Sequence, residues 1–437
     1  MSKRLLRFTG AFDAFSPTEK NALFRRGESE ASAENVSDVV AEIISRVKRS
    51  GDAALIEMAR ELDKVELSAI EVPSELWRAA FERLTPSLRQ AMRRSARNIE
   101  AFHRSQIQGP SSIVIEPGIQ IGRRPDPLNR VGVYAPGGRA TYPSSVLMGA
   151  IPARTAGVRQ VVLCSPPGDT GQPDDSILAA AYLAGVDRVF AVGGAGAIAA
   201  MSIGTATIPR VDKVVGPGNA YVAEAKLQLA SFAAFDSPAG PSELLVIADD
   251  SASPHVVVRE MLAQAEHDPK AAVIVVTIGD SLPPLIEEIL PAEIDAAERR
   301  SIIAQSLRDR GGVVSVRTRD EAVAISNEFA PEHLMLATSS PEALLAHVRN
   351  AGTVFLGESS SVAFGDYMTG ANHVLPTGGL ARCYSGLSTS DFIRWTTFQT
   401  VTPEAAAMLA SDVGEFAKAE GLHAHANAAL GWGVDKR

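Results

Sequence analysis

The chain has 437 residues, 46% of them hydrophobic, with 42 Lys and Arg against 51 Asp and Glu and a net charge of −9. That length exceeds a single small module and predicts two to four domains at about 100–200 residues each. The mild acidic excess without a basic block argues against a nucleic-acid or anionic-membrane partner, because phosphate binding needs concentrated positive charge.

The opening MSKRLLRFTGAFDAF lacks the apolar core and cleavage site of a signal peptide, and no charge-free apolar stretch reaches eighteen residues. A cytoplasmic protein without a membrane segment is expected. Residues 1–110 read as helices, with apolar positions three and four apart in VSDVVAEIISRVKRSGDAALIEMARELD and again in SELWRAAFERLTPSLRQAMRRSARNIEAFHRSQ. From about residue 130 the texture becomes short apolar runs ending in Gly or Pro, each followed by a helical pattern: RVGVYAPGG, VRQVVLCSPPG, DRVFAVGGAG and DKVVGPGN. The alternation resumes in ELLVIADD, AAVIVVTIGD, GGVVSVRT and AGTVFLGE. This rhythm predicts an α/β fold with two wound sheets, near 134–240 and 241–380, followed from about 388 by a helical tail without a strand. The two halves share a rhythm but no residue-by-residue alignment.

Candidate chemistry begins at the strand ends. VGGAGAIAA and VGPGNAYVAEAK place Gly-rich turns between strand and helix, where free N–H groups and the helix dipole face an anion. Such turns are about as common for steric reasons alone, and neither completes the dinucleotide fingerprint with its later acidic residue. Asn219, beside two glycines, and Tyr134, at the end of RVGVY, are the side chains there that can reach a nucleotide. Of eight histidines, His103, His255 and His347 lie in helical patterns and read as surface or packing residues.

The other histidines stand beside carboxylates, amides and glycines. Gln264 and His267 are three apart at a helix end, the spacing by which a helix offers two metal ligands from one face, although a solvated polar helix end looks the same. In FAPEHL, Glu332 and His333 follow a proline that ends a helix, leaving carboxylate and imidazole adjacent on a turn and suited to proton transfer. Asp366 and His373 fall in FGDYMTGANHVLPTGG, which has neither helical nor strand period. His423 and His425 are two apart, so a helix points them differently and at most one shares a site with Glu420. Cys164 and Cys383 alone make neither a disulfide framework nor a thiolate metal site, so Gln264, His267, Asp366 and one tail histidine offer nitrogen and oxygen only. That set suits zinc, or manganese or cobalt in its place.

These strings, with YPSSVLM, AGPSELLVIAD and EGLHAH, stand in an order and spacing that resembles the histidinol dehydrogenase family over residues 36–430. The resemblance implies an NAD-dependent, two-step oxidation of L-histidinol through L-histidinal to L-histidine, one zinc per subunit, and a homodimer with shared active sites. Gln264, His267 and Asp366 match three zinc ligands, and His425 the fourth, supplied by the partner subunit's tail. Glu332 and His333 match the catalytic acid/base pair. Ser242, His373 and Glu420 match substrate-contacting positions, joined there by the ligands and the acid/base pair. Tyr134, Asn219 and the position of Gly196 match cofactor contacts. The family usually has glutamine where this chain has Gly196, a change expected to weaken NAD binding by about 0.5–1.5 kcal/mol.

The organisation expected is two Rossmann-like, incomplete doubly wound domains with helical extensions. Residues 1–30 form the first extension, 31–133 with 241–382 the catalytic and metal-binding domain, 134–240 an inserted NAD-binding domain, and 383–437 a tail reaching the partner. A paralogous zinc- and NAD-dependent dehydrogenase of another alcohol, such as a sulfonated diol, is the nearest alternative. A zinc hydrolase is the rival from another class, and the paired Gly-rich turns argue against it.

Overall fold

The computed structural model describes residues 5–26, 33–137 and 141–434. Residues 1–4 and 27–30 of the expected N-terminal extension, and Gly138 of the turn after Tyr134, lie outside the described residues.

Near-continuous apolar runs suit strands covered on both faces, and here they build two parallel sheets. The first runs Glu71–Val72, Arg188–Ala191, Gln160–Ser165, Arg130–Tyr134, Lys213–Val215, Ala234–Phe235, antiparallel only at its first pair. The second runs Phe8–Ala11, Gly311–Val316, Ala272–Ile278, Glu243–Ala248, His333–Ala337, Thr353–Leu356, parallel throughout. With the Glu71–Val72 and Phe8–Ala11 edges set aside and the rest numbered along the chain, both sheets have the order 3-2-1-4-5, that of doubly wound nucleotide-binding folds. The halves therefore share a topology as well as a rhythm.

Several segments depart from the sequence reading. Phe8–Ala11 lies in the expected helical extension but pairs with the second sheet, Phe8 opposite Gly312. Four residues carry too little period to announce a strand, and the distant edge supplies the pairing. The helices Ala33–Ser50, Ser74–Arg83 and Pro86–Arg104 fall in the segment that the sequence assigns with the second sheet. Their buried Val40, Trp77 and Ile99 instead share one core with Val131, Leu163 and Val214 of the first. An amphipathic pattern shows which face is buried, not what buries it.

Ser111–Glu116, Ile119–Pro127 and Ile393–Val401 form an antiparallel three-stranded sheet, Ile393 opposite Pro127 and Val401 opposite Ile119. The last of these corrects the all-helical tail. Its sequence, IRWTTFQTV, is rich in the β-branched and aromatic residues that favour strands. Beyond it, Pro403–Ala419 and His423–Val434 make a helical hairpin whose helices pack chiefly on each other, with Gly414 under Leu430. Phe416 is 72% exposed on it, Met408 66% and Trp432 58%. Among the described residues no helix is long and apolar enough to cross a membrane.

Candidate active site

The helix Arg319–Phe329 ends where Ala330 takes a left-handed conformation, φ 48°. Pro331 follows, and His333 opens the strand His333–Ala337. Glu332 and His333 are thus not on a solvated turn: they are 6% and 4% exposed, at the amino edge of the second sheet. Glu243 opens the neighbouring strand, with Leu244 opposite His333. Its backbone N–H donates to Glu332 Oε2 at 2.8 Å, and its backbone oxygen lies 3.0 Å from His333 Nδ1. Nδ1 carries the proton in that contact, which leaves Nε2 as the basic nitrogen of the neutral ring. Nε2 is buried without a hydrogen-bond partner, 3.6 Å from Asp366 Oδ1.

Burial pushes the Glu332 carboxyl up to about 8. Burial alone would lower His333, but the carboxylates of Glu332 and Asp366 outweigh it and raise the imidazole to about 9. A proton shared between an acid and a base this close belongs to the pair rather than to either member. Both members bind a proton more tightly than a free carboxyl or imidazole, so the pair suits acid/base work in which a proton is taken up and handed on.

Beside this pair, Gln264 is buried in the last turn of the helix Pro254–Ala265, which stops before His267. Gln264 Nε2 has no partner. Asp366, on the helix Val362–Tyr367, accepts through its backbone oxygen at 2.9 Å from His373 Nδ1, and His373 Nε2 lies 3.5 Å from Ser145 Oγ. Burial lowers the pKa of both His267 and His373, keeping them neutral. Burial would raise Asp366, but His333 holds its carboxyl below the usual range. Neutral imidazole, carboxylate and a buried carboxamide, which ligates through its oxygen, fit a nitrogen/oxygen metal site.

Among the described residues no group of three or more His, Cys, Asp or Glu side chains is placed to hold a metal ion. Glu420 and His425 stand exposed on the tail hairpin, as does His423. Ser242 is half-buried directly before Glu243, and its carbonyl accepts from Ala272.

The Gly-rich turns lie at the opposite kind of edge. Tyr134 ends its strand, Gly193 and Gly194 follow Arg188–Ala191, and Gly216 follows Lys213–Val215, all at the carboxyl edge of the first sheet, where doubly wound folds bind ligands. Tyr134 is buried, which drives its phenol up to about 12, and its hydroxyl accepts from the Gly194 N–H at 3.0 Å. A Cβ on Gly216, φ 121°, would stand 2.1 Å from the Tyr134 carbonyl oxygen, so only glycine lets these turns approach. Lys226 Nζ donates to the Gly216 carbonyl at 2.7 Å and pairs with Asp236, which takes the Gly216 N–H at 2.7 Å. Asn219 caps the helix Ala220–Gln228, its Oδ1 accepting from Tyr221 and Val222, which leaves its exposed amide NH₂ for a ligand. A Cβ on buried Gly196 would meet Leu55 and Met58 at 3.4 Å each, ordinary contacts that a side chain can make.

Sequence reasoning missed Glu243, a lone carboxylate at the start of an apolar run, and Ser145, one hydroxyl among several in YPSSVLM. It treated His103 as a surface or packing residue. That ring is fully buried, its Nδ1 2.8 Å from the Ile99 carbonyl and its Nε2 3.3 Å from Asn372 Nδ2, beside His373.

The sequence profile of the histidinol dehydrogenase family matches residues 26–430. Histidinol dehydrogenase of Methanothermobacter thermautotrophicus is 48% identical over 395 residues, covering 90% of this chain and 93% of its own. That of Methanosarcina barkeri is 43% identical, covering 94% and 95%. The crystal structure of histidinol dehydrogenase from Elizabethkingia anophelis superposes with a TM-score of 0.94 at 36% identity over 99% of each chain. By sequence along nearly its whole length and by fold, this chain belongs to the histidinol dehydrogenase family of NAD-dependent oxidoreductases.

Proposed function

We propose that this chain oxidises L-histidinol through L-histidinal to L-histidine, closing histidine biosynthesis, with two molecules of NAD consumed per turnover. The observation that carries the reading is the buried Glu332–His333 pair, held by one backbone unit of Glu243 beside neutral His267 and ionised Asp366.

His333 takes the alcohol proton on Nε2, its unpartnered nitrogen, as hydride leaves the carbinol carbon. Glu332 then draws a proton from water as it adds to the aldehyde, and His333 again serves as base in oxidation of the hydrate. Tyr134 and Asn219, at the carboxyl edge of the first sheet, would hold NAD, which would supply the hydride acceptor, one molecule for each oxidation step. A zinc ion held by Gln264, His267, Asp366 and a His425 from a second copy would supply an orienting Lewis acid for the substrate's amino and imidazole nitrogens. Ser242, His373 and Glu420 complete the substrate contacts, Glu420 again from the second copy. The exposed apolar residues of the tail hairpin favour that homodimer, since Phe416, Met408 and Trp432 have no cover in one chain.

Gly196 leaves the cofactor one side-chain contact short. The variant Gly196→Gln, whose Cβ fits against Leu55 and Met58, is expected to lower KM for NAD about three- to tenfold with kcat little changed, since one hydrogen bond contributes about 0.5–1.5 kcal/mol. Steady-state kinetics over a range of NAD concentrations checks this.

The function itself is tested by incubating zinc-loaded protein with L-histidinol and excess NAD. Histidine should form with two NADH for each molecule. Absence of histidine at saturating NAD, or equal turnover of an alcohol lacking the imidazole, would defeat the reading.

A further inference from the structure

We infer that Arg26 and Glu243 form a positioning pair for Glu332 and His333, an inference that rests on the function proposed above. Glu243 holds both members through its backbone, the N–H on Glu332 Oε2 at 2.8 Å and the carbonyl on His333 Nδ1 at 3.0 Å. Any displacement of this one residue moves acid and base together. What holds Glu243 is its side chain: Oε2 accepts from Arg26 Nη2 at 2.7 Å, and Oε1 accepts from the N–H of Gly378, in the loop that carries His373.

Arg26 closes the frame from the other side. The same Nη2 reaches the Ala330 carbonyl at 3.3 Å, and the guanidinium lies over the Phe329 ring, 3.3 Å from its centroid. The Arg26 carbonyl in turn accepts from Arg310 Nη1 at 2.8 Å. One planar guanidinium therefore joins the strand start at Glu243, the end of the helix Arg319–Phe329, and the left-handed turn leading into Glu332. Such forked contacts suit arginine and not lysine.

Stability alone is a poor reason for the pair. Both side chains are buried, Arg26 Nε has no partner, and burial pulls the guanidinium below its ordinary pKa despite Glu243. A buried ion pair of this kind adds little over uncharged residues of similar shape. Its contacts instead converge on the three segments that frame the acid/base pair.

The test uses the full-length, zinc-loaded double variant Arg26→Gln/Glu243→Gln, which removes both charges at once and leaves none buried alone. Positioning predicts a folded protein whose kcat is lower by at least about tenfold, as expected when a base is misplaced by a fraction of an ångström. KM for NAD should stay within about twofold, because the Gly-rich turns of the other sheet are untouched. A double variant that folds with near-wild-type kcat overturns the inference, and so does one that fails to fold, since the pair would then serve the fold alone. Wild-type protein inert toward histidinol would remove the proposed function and this inference together. Active wild type with an unaffected double variant removes only this one.

Discussion

His333→Asn is expected to lower kcat for both oxidation steps by about 10²–10⁴-fold, the usual contribution of a positioned general base. Asparagine keeps an N–H to offer the Glu243 carbonyl, so the strand start should survive, but it has no basic nitrogen where Nε2 stood. Glu332→Gln should separate the two steps. Its amide oxygen can still accept from the Glu243 N–H, and the alcohol step relies on His333, so oxidation of histidinol to histidinal should fall by less than about tenfold. Addition of water to the aldehyde needs a group that can take a proton, which a carboxamide cannot, and there the loss should exceed about 10²-fold. Single-turnover experiments started from histidinol and from histidinal read the steps apart. Untouched aldehyde oxidation in Glu332→Gln would reverse the assignment of roles.

The second large effect is restoration of activity by mixing two inactive proteins. On the proposed ligand set each of His267→Ala and His425→Ala removes one of four donors, so each should lose zinc and at least about 10²-fold in activity. If His425 acts in the neighbouring copy's site, an unfolded and refolded equal mixture gives mixed dimers in which one site lacks both residues and the other is intact. At random pairing about a quarter of all sites are whole, so about a quarter of wild-type activity should return. The exposure of His425 and Glu420 on the tail hairpin, with no third His, Cys, Asp or Glu placed to hold a metal beside His267 and Asp366 among the described residues, motivates the expectation. Sedimentation and zinc content should follow activity. A fully active monomer, or no recovery on mixing alongside normal dimerisation, would place the fourth donor elsewhere.

Much of the candidate site is legible in the sequence because chemistry-bearing residues cluster in short strings. QAEHDP, FAPEHL and GDYMTGANH each join a potential ligand or base to a helix end or a Gly-rich segment. The surroundings of these strings were less legible. FAPEHL reads as a turn because proline ends helices, yet the register of His333 beside Leu244 comes from a strand some ninety residues away and buries the pair. Glu243 carried no signal, since its importance lies in a backbone N–H and C=O, which every residue has.

The sequence by itself determined the α/β class, the two runs of strand and helix, the nitrogen/oxygen character of any metal site, and the adjacency of Glu332 and His333. These are properties of composition and of neighbours along the chain. Only the tertiary structure decided which sheet each helix covers, that Phe8–Ala11 and Ile393–Val401 are strands, and that the Gly-rich turns lie at a carboxyl edge while the acid/base pair lies at an amino edge. It also decided that Arg26, Glu243 and Ala330 converge on that pair. The physical reason is that pairing, burial and the pKa values that follow from them arise between residues far apart in the chain, and local periodicity holds no record of such partners.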